Sequence, residues 1–338
     1  MIHTSIDLDR PGKQQGFLQV PYSHDLGGWA NVMVPITVVA RGSGPTVLCL
    51  GGNHGDEYQG QVAIMRLARE VTPEHVSGRL LVPSLNMPAA KAAKRLSPLD
   101  GMNMNRAFPG APEGPVTSQI AWYLTNVLFP ASDVVIDIHS GGRSMEFLPC
   151  SHMHLVPDRE QRRKMLAAML AWNTDFSFLY ADIAGSGLLP VEAENQGKTV
   201  VTTELGGGEG IPARVHSIAQ KGLRNVLVHC GVLAGKEETR ESLGLPPAVL
   251  VQALSREDYL LAPESGVFEV ALDLGAPVRR GDTVGWIHHL ERPDREPEPI
   301  AAASEGVLVT MRAPCLTTQG DCVAVIAREV SREEVLGA

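Results

Sequence analysis

From Val34 to Gly231, short β-branched and apolar runs alternate with segments of helical periodicity, and this alternation constrains the fold more than any other feature. Val34–Ala40, Thr46–Leu50, Arg79–Val82, Asp133–His139 and Thr199–Glu204 read as strands, most of them bounded by Gly or Pro. Phe17–Tyr22 reads as an antiparallel partner of the first. Tyr58–Val71 carries Val62, Met65, Leu67 and Ala68 on one helical stripe, and Val116–Leu128, Glu160–Ala171 and Arg214–Gly231 read as further helices. Strands alternating with helices predict an α/β domain whose mostly parallel sheet is covered on both faces.

The pattern changes at the Pro-containing break Leu243–Val249, beyond which short strands follow with no long helical pattern. Here the chain repeats itself: ESGVFEVAL followed by GDTVGWI returns as SEGVLVTMR followed by GDCVAVI, at a spacing of about 40 residues. This predicts a small all-β sandwich or barrel with an internal duplication. The repeat resembles the lipoyl/biotinyl-type sandwich, whose carrier versions modify a turn lysine. No lysine follows Lys236, so the carrier function is excluded and a structural or oligomerising role is expected. The expected division is 1–245 for the α/β domain and 250–338 for the β-module.

Composition narrows the classes of partner. A formal charge of −9 argues against nucleic acid and anionic membranes, and no apolar run reaches the roughly 18 residues of a membrane span. The start MIHTSIDLDR lacks the basic-then-apolar pattern of a secretory signal. Five scattered cysteines without a CxxC pair read as reduced thiols, and a cytoplasmic protein acting on a small molecule is expected.

Several residues can carry chemistry. His54 and Glu57 form an HxxE spacing in GGNHGDE, where an apolar strand gives way to a helix and both side chains can face one ion. HxxE alone arises by chance, and His288–Glu291 is a second example that reads as a solvated turn. The first lies at the carboxyl end of a sheet strand, where open α/β sheets place ligands. His139 ends another such strand in DVVIDIHSGG, and Asp137, two residues earlier on the same face, is placed to orient its imidazole. Glu204 ends a third strand in VVTTELGGG and reads either as a helix-start cap or as a carboxylate placed for proton transfer. Arg95 and Arg106, the latter beside Asn105, lie in the loop Asn86–Gly110 and suit a substrate carboxylate or a developing oxyanion.

On GGNHGDE, the pair Asn105-Arg106, DIHS (Asp137–Ser140) and TELGG (Thr203–Gly207), in that order, the chain resembles the succinylglutamate desuccinylase/aspartoacylase family of zinc carboxypeptidase-like hydrolases. The resemblance implies a mixed sheet flanked by helices, with the β-module as the family's C-terminal domain. It implies one Zn²⁺ per chain on His54, Glu57 and His139, with Glu204 as general acid/base. It further implies that Arg95 polarises the scissile carbonyl and that Asn105 with Arg106 clamps the substrate carboxylate. Asn103-Met104 stands where aspartoacylases usually carry Asp-Leu, and Asp56 where they usually carry Asn, which sets an aspartate-type substrate apart from this chain.

Within the family, Ser186–Gly210 and PYSHDLGGWANVMVPI look most like the bacterial ectoine-utilisation deacetylases, which hydrolyse Nα-acetyl-2,4-diaminobutyrate. That substrate has a cationic side chain, for which Glu146, Glu192 and Glu194 are candidate partners, the alternative being that they are solvated loop carboxylates. The other readings are a desuccinylase or aspartoacylase acting on an acidic N-acyl amino acid, a zinc carboxypeptidase, and a non-catalytic zinc-stabilised protein that binds a small acid. A homo-oligomer, dimer or tetramer, is expected.

Overall fold

A computed structural model describes residues 1–181 and 185–337. The first half comprises β1 (Gly12–Pro21), β2 (Asn31–Arg41), β3 (Thr46–Gly51), α1 (Tyr58–Glu70), β4 (Gly78–Pro83), α2 (Met87–Lys91), α3 (Val116–Tyr123) and β5 (Val134–His139). Next come β6 (Met145–Phe147), β7 (Cys150–His154), α4 (Arg159–Leu170), β8 (Phe176–Tyr180), α5 (Leu189–Asn195), β9 (Thr199–Glu204) and α6 (Ala213–His229). The C-terminal part contributes β10 (Val249–Ala253), β11 (Tyr259–Leu261), β12 (Gly266–Val270), β13 (Pro277–Val278), β14 (Thr283–His288) and β15 (Glu298–Ala301). It ends with β16 (Gly306–Arg312), β17 (Leu316–Thr317), β18 (Cys322–Glu329) and α7 (Arg332–Leu336).

The large sheet runs β1-β2-β4-β3-β5-β9-β7-β8-β10-β18-β16-β13. It is mixed rather than mostly parallel. β4, β3, β5 and β9 form a parallel centre, whereas β1 and β2 join it antiparallel, and β7 runs antiparallel to β9. Alternation along the central strands feeds two cores. In β3, Leu48 and Leu50 pack into one apolar cluster, while Val47 and Cys49 pack into the other on the opposite face. Such strands, buried on both sides, read as the unbroken apolar runs seen in the sequence.

Three elements depart from expectation. The helix from Val116 stays α-helical only to Tyr123, then widens into a π-helical turn over Leu124–Leu128, closed by a Phe129 N–H bond to the Leu124 carbonyl of 2.8 Å. β7 and β8 have no counterpart among the expected strands. Cys-Ser-His-Met-His lacks β-branched residues, and its polar members are buried only because partners from distant segments satisfy them: Ser151 Oγ meets Thr174 Oγ1 and Ser177 Oγ.

β10 pairs parallel with β8 and antiparallel with β18, so the large sheet continues across residues 245–250. The two halves of the sequence repeat fall in different sheets: β12 and β14 in a separate antiparallel sheet with β15 and β17, β16 and β18 in the large one. Phe268, Val284 and Ile287 from the small sheet share a core with Leu308, Val323 and Ile326 from the large one. β6 also pairs with β16, which brings the C-terminal strands to the segment that follows β5. All five cysteines are free, and no helix among the described residues is long and apolar enough to cross a membrane.

Candidate active site

β3, β5 and β9 are neighbours in the sheet, so the three strands that carry the motifs deliver them side by side at their carboxyl ends. After β3 the chain turns through Gly51–Glu57 into α1, and glycine is required at position 55 because a Cβ there would run into the backbone of Ala89 in α2. That close approach lets His54 and Glu57 fold inward together. His139 ends β5, where Gly141 and Gly207 both pack against the Met145 carbonyl with no room for a side chain.

His54, Glu57 and His139 converge, with one donor atom from each lying within 4.8 Å of the others. His54 Nδ1 is 2.6 Å from Glu57 Oε1, and His139 Nδ1 is 2.7 Å from Glu57 Oε2, all three residues being buried. The far nitrogens face oxygens: His139 Nε2 lies 2.8 Å from Asp137 Oδ2, and His54 Nε2 lies 3.1 Å from Asn103 Oδ1. Carboxylate and carboxamide oxygens only accept, so each Nε2 keeps an imidazole hydrogen; each Nδ1 faces a Glu57 oxygen with a proton between them, and a cation that displaces that proton meets a lone pair there. Two lone pairs and a carboxylate aimed at one point form a donor set for a divalent cation, and the residues present fit a metal. Burial works against ionisation of Glu57, yet the two imidazoles outweigh it and hold the carboxyl well below its usual range.

Glu204 lies directly opposite His139 in the β5–β9 register. Its Oε2 is buried with no hydrogen-bond partner among the described residues. Burial, reinforced by the Glu57 charge, pushes its carboxyl up to about 8, in the range where a carboxyl both takes and gives a proton near neutrality. The helix-cap alternative is not met, because α6 begins at Ala213 with Pro212 before it. Arg95 reaches in from the loop, its Nη1 3.2 Å from His54 Nδ1 and 3.3 Å from Glu57 Oε1.

The cluster opens into a cavity of about 580 Å³, ample for an acylated amino acid, which Arg95, Asn105 and Arg106 also line. Arg106 Nη1 donates to the Asn105 carbonyl at 2.6 Å. The Asn105 Oδ1 accepts the Leu189 N–H at the start of α5 (2.8 Å), and the donors Asn105 can offer a ligand are its amide N–H groups. Replacing Asn105 with Ala strands that buried N–H. We expect a loss of about 1–3 kcal/mol of stability, seen as a lowered thermal midpoint of the metal-depleted protein; an unchanged midpoint would show that the bond does not hold α5.

The acidic candidates are elsewhere. Glu194 pairs with His154 at 3.0 Å, Glu192 accepts from Gln196, and Glu146 is off the cavity wall although Met145 and Phe147 line it. Lying near the site strands in sequence misled, because α5 directs Glu192 and Glu194 to other partners and β6 holds Glu146 off the cavity wall. Among the described lining residues the carboxylates are Glu57 and Glu204 alone. His288 pairs with Glu269 rather than Glu291, away from the cavity.

Residues not singled out in the sequence complete the site. Asn53 Nδ2 donates to Asp137 Oδ2 at 2.9 Å, and Asn103 both caps its own turn through Asn105 N–H and faces His54. His152 and Tyr180 line the cavity from β7 and β8. The period-two histidines of CSHMH were the available signal for the former. Tyr259, Leu261, Thr310 and Cys322 line it from the C-terminal strands, which therefore form part of the cavity wall.

Comparison with known proteins agrees with this geometry. Residues 43–230 match the succinylglutamate desuccinylase/aspartoacylase catalytic domain. The chain is 39% identical over 330 residues to the N-alpha-acetyl-L-2,4-diaminobutyric acid deacetylase of Halomonas elongata, covering 97% of this chain and 95% of that one. Its structure is similar to the product-bound ectoine utilization protein EutE (DoeB) of Ruegeria pomeroyi, with a TM-score of 0.92 and 40% identity over 97% of this chain and 98% of that one. It is also similar to a succinylglutamate desuccinylase from Silicibacter sp. TM1040, with a TM-score of 0.91 and 42% identity over the same shares. With motifs, fold and sequence in agreement over nearly its whole length, the chain belongs to the succinylglutamate desuccinylase/aspartoacylase family.

Proposed function

We propose that the protein is a zinc-dependent amide hydrolase that removes the acetyl group from Nα-acetyl-L-2,4-diaminobutyrate in ectoine degradation. One observation supports this above the rest: two imidazole Nδ1 atoms and the Glu57 carboxylate converge beside Glu204, whose Oε2 has no hydrogen-bond partner among the described residues. Held by His54, Glu57 and His139, zinc would supply Lewis-acid polarisation of the acyl carbonyl and lower the pKa of water. Glu204 takes the proton of the attacking water as its oxygen bonds to the acyl carbon. It returns that proton to the amine nitrogen as the C–N bond breaks, so acetate and the free amino acid leave in balance. Arg95 reaches the metal-binding cluster and stabilises negative charge developing on the acyl oxygen, while Arg106, with the Asn105 amide N–H groups, holds the α-carboxylate.

A panel of N-acyl amino acids, run on protein whose metal content is measured, tests the reading. We expect about one zinc per chain and the highest kcat/KM on Nα-acetyl-L-2,4-diaminobutyrate. A preference for N-succinylglutamate or N-acetylaspartate would replace the substrate and keep the chemistry. Absence of turnover on the whole panel would favour a binding protein.

A further inference from the structure

One wall of the cavity is not used by the chemistry above. In register, His139 on β5 lies opposite Glu204 on β9, Thr202 on β9 opposite His152 on β7, and His152 opposite Phe178 on β8. Side chains alternate along a strand and directly paired residues share a face, so the row that holds His139 and Glu204 continues through His152 to Phe178 and Tyr180. All five residues line the cavity.

The His152 tautomer is fixed by its neighbour. Thr202 Oγ1 lies 2.8 Å from the His152 carbonyl oxygen and 2.7 Å from His152 Nδ1. The carbonyl cannot donate, so the single hydroxyl proton goes to it, and Nδ1 must carry the imidazole hydrogen and donate to Oγ1. Burial holds the ring's pKa well below the ordinary histidine value, which keeps it neutral. Nε2 is therefore a bare lone pair, buried with no hydrogen-bond partner among the described residues. An unsatisfied buried acceptor costs stability, and a ligand that brings a donor removes the cost. Beside it stands the Tyr180 ring, its centroid 4.8 Å from that of His152, with Phe178 next in the row.

We propose that His152 Nε2 accepts a hydrogen bond from the second amino group of the substrate, held as an ammonium against the aromatic rings of β8, and thereby selects a diamino acid. The proposal rests on the deacylase reading above. An ammonium offers donors and no acceptor, so it matches a lone pair, and aromatic faces favour a cation. An acidic side chain would set lone pair against lone pair, so the same nitrogen rejects aspartyl and glutamyl substrates. A neutral acceptor also has an advantage over a carboxylate here, since a further carboxylate on this wall would compete with Glu57 for the metal.

The test compares kcat/KM for Nα-acetyl-L-2,4-diaminobutyrate with that for Nα-acetyl-L-2-aminobutyrate, which lacks only the second amino group. Wild type, His152→Leu and His152→Gln are measured at matched metal content. We expect wild type to prefer the diamino compound, and His152→Leu to cut that preference by about tenfold or more, mainly through KM for the diamino compound. His152→Gln, whose amide oxygen also accepts, should restore much of it. A purely structural role would lower both substrates together, and that result, or an unchanged ratio in His152→Leu, overturns the proposal. Wild type that turns over both compounds without preference leaves the deacylase reading standing and overturns this one. Wild type that turns over neither overturns both.

Discussion

Glu204→Gln is expected to lower kcat by about 10²–10⁴-fold while the zinc content stays near one per chain and KM moves only a few-fold. The substitution keeps the side chain's volume and removes its capacity to take a proton. Because Oε2 has no hydrogen-bond partner among the described residues, the amide forfeits no bond to them, and the fold has little reason to respond. The thermal midpoint of the metal-loaded variant should therefore stay within a few degrees of wild type. Glu204 is not among the three converging ligand residues, so metal binding and turnover are separable at this position. Substantial turnover by the metal-loaded variant would remove Glu204 from the role of general acid/base. Loss of the metal along with activity would instead make it a ligand.

The convergence of His54, Glu57 and His139 was readable because each residue closes or follows a local pattern, an apolar run that ends in glycine. What the pattern could not tell was the order of the sheet. That β3, β5 and β9 are adjacent follows from long-range pairing, and only this adjacency turns three strand ends into one site. β7 and β8 stayed hidden for a related reason. Their Ser and His side chains find partners at distances in sequence that no local period records, and Thr202 sets the His152 tautomer from 50 residues away. The acidic candidates failed in the opposite sense. Glu192 and Glu194 lie close in sequence to the β9 strand, but one helical turn and the reach of His154 decide where their charges go. Tyr259 and Thr310 could not be placed on the cavity before the β6–β16 and β11–β18 pairings were known.

Asp137→Ala should weaken zinc binding by about 10–100-fold, or about 1.4–2.8 kcal/mol, although Asp137 donates no atom to the metal cluster. Its carboxylate is fully buried at the end of β5, accepts from Asn53 Nδ2 and takes the His139 Nε2 hydrogen at 2.8 Å. Without that acceptor the imidazole is free to place its hydrogen on Nδ1, the nitrogen that must offer a lone pair beside Glu57. The ring also loses the contact that fixes its orientation. Activity measured against free zinc should shift to higher concentration and approach the wild-type plateau, because the ligands themselves remain. Removing a ligand, as in His139→Ala, should lower that plateau however much zinc is supplied. Competition with a chelator reads the two cases apart. An Asp137→Ala protein with wild-type zinc affinity would show that Glu57 alone orients His139, and a plateau that excess zinc cannot raise would place Asp137 in the chemistry itself.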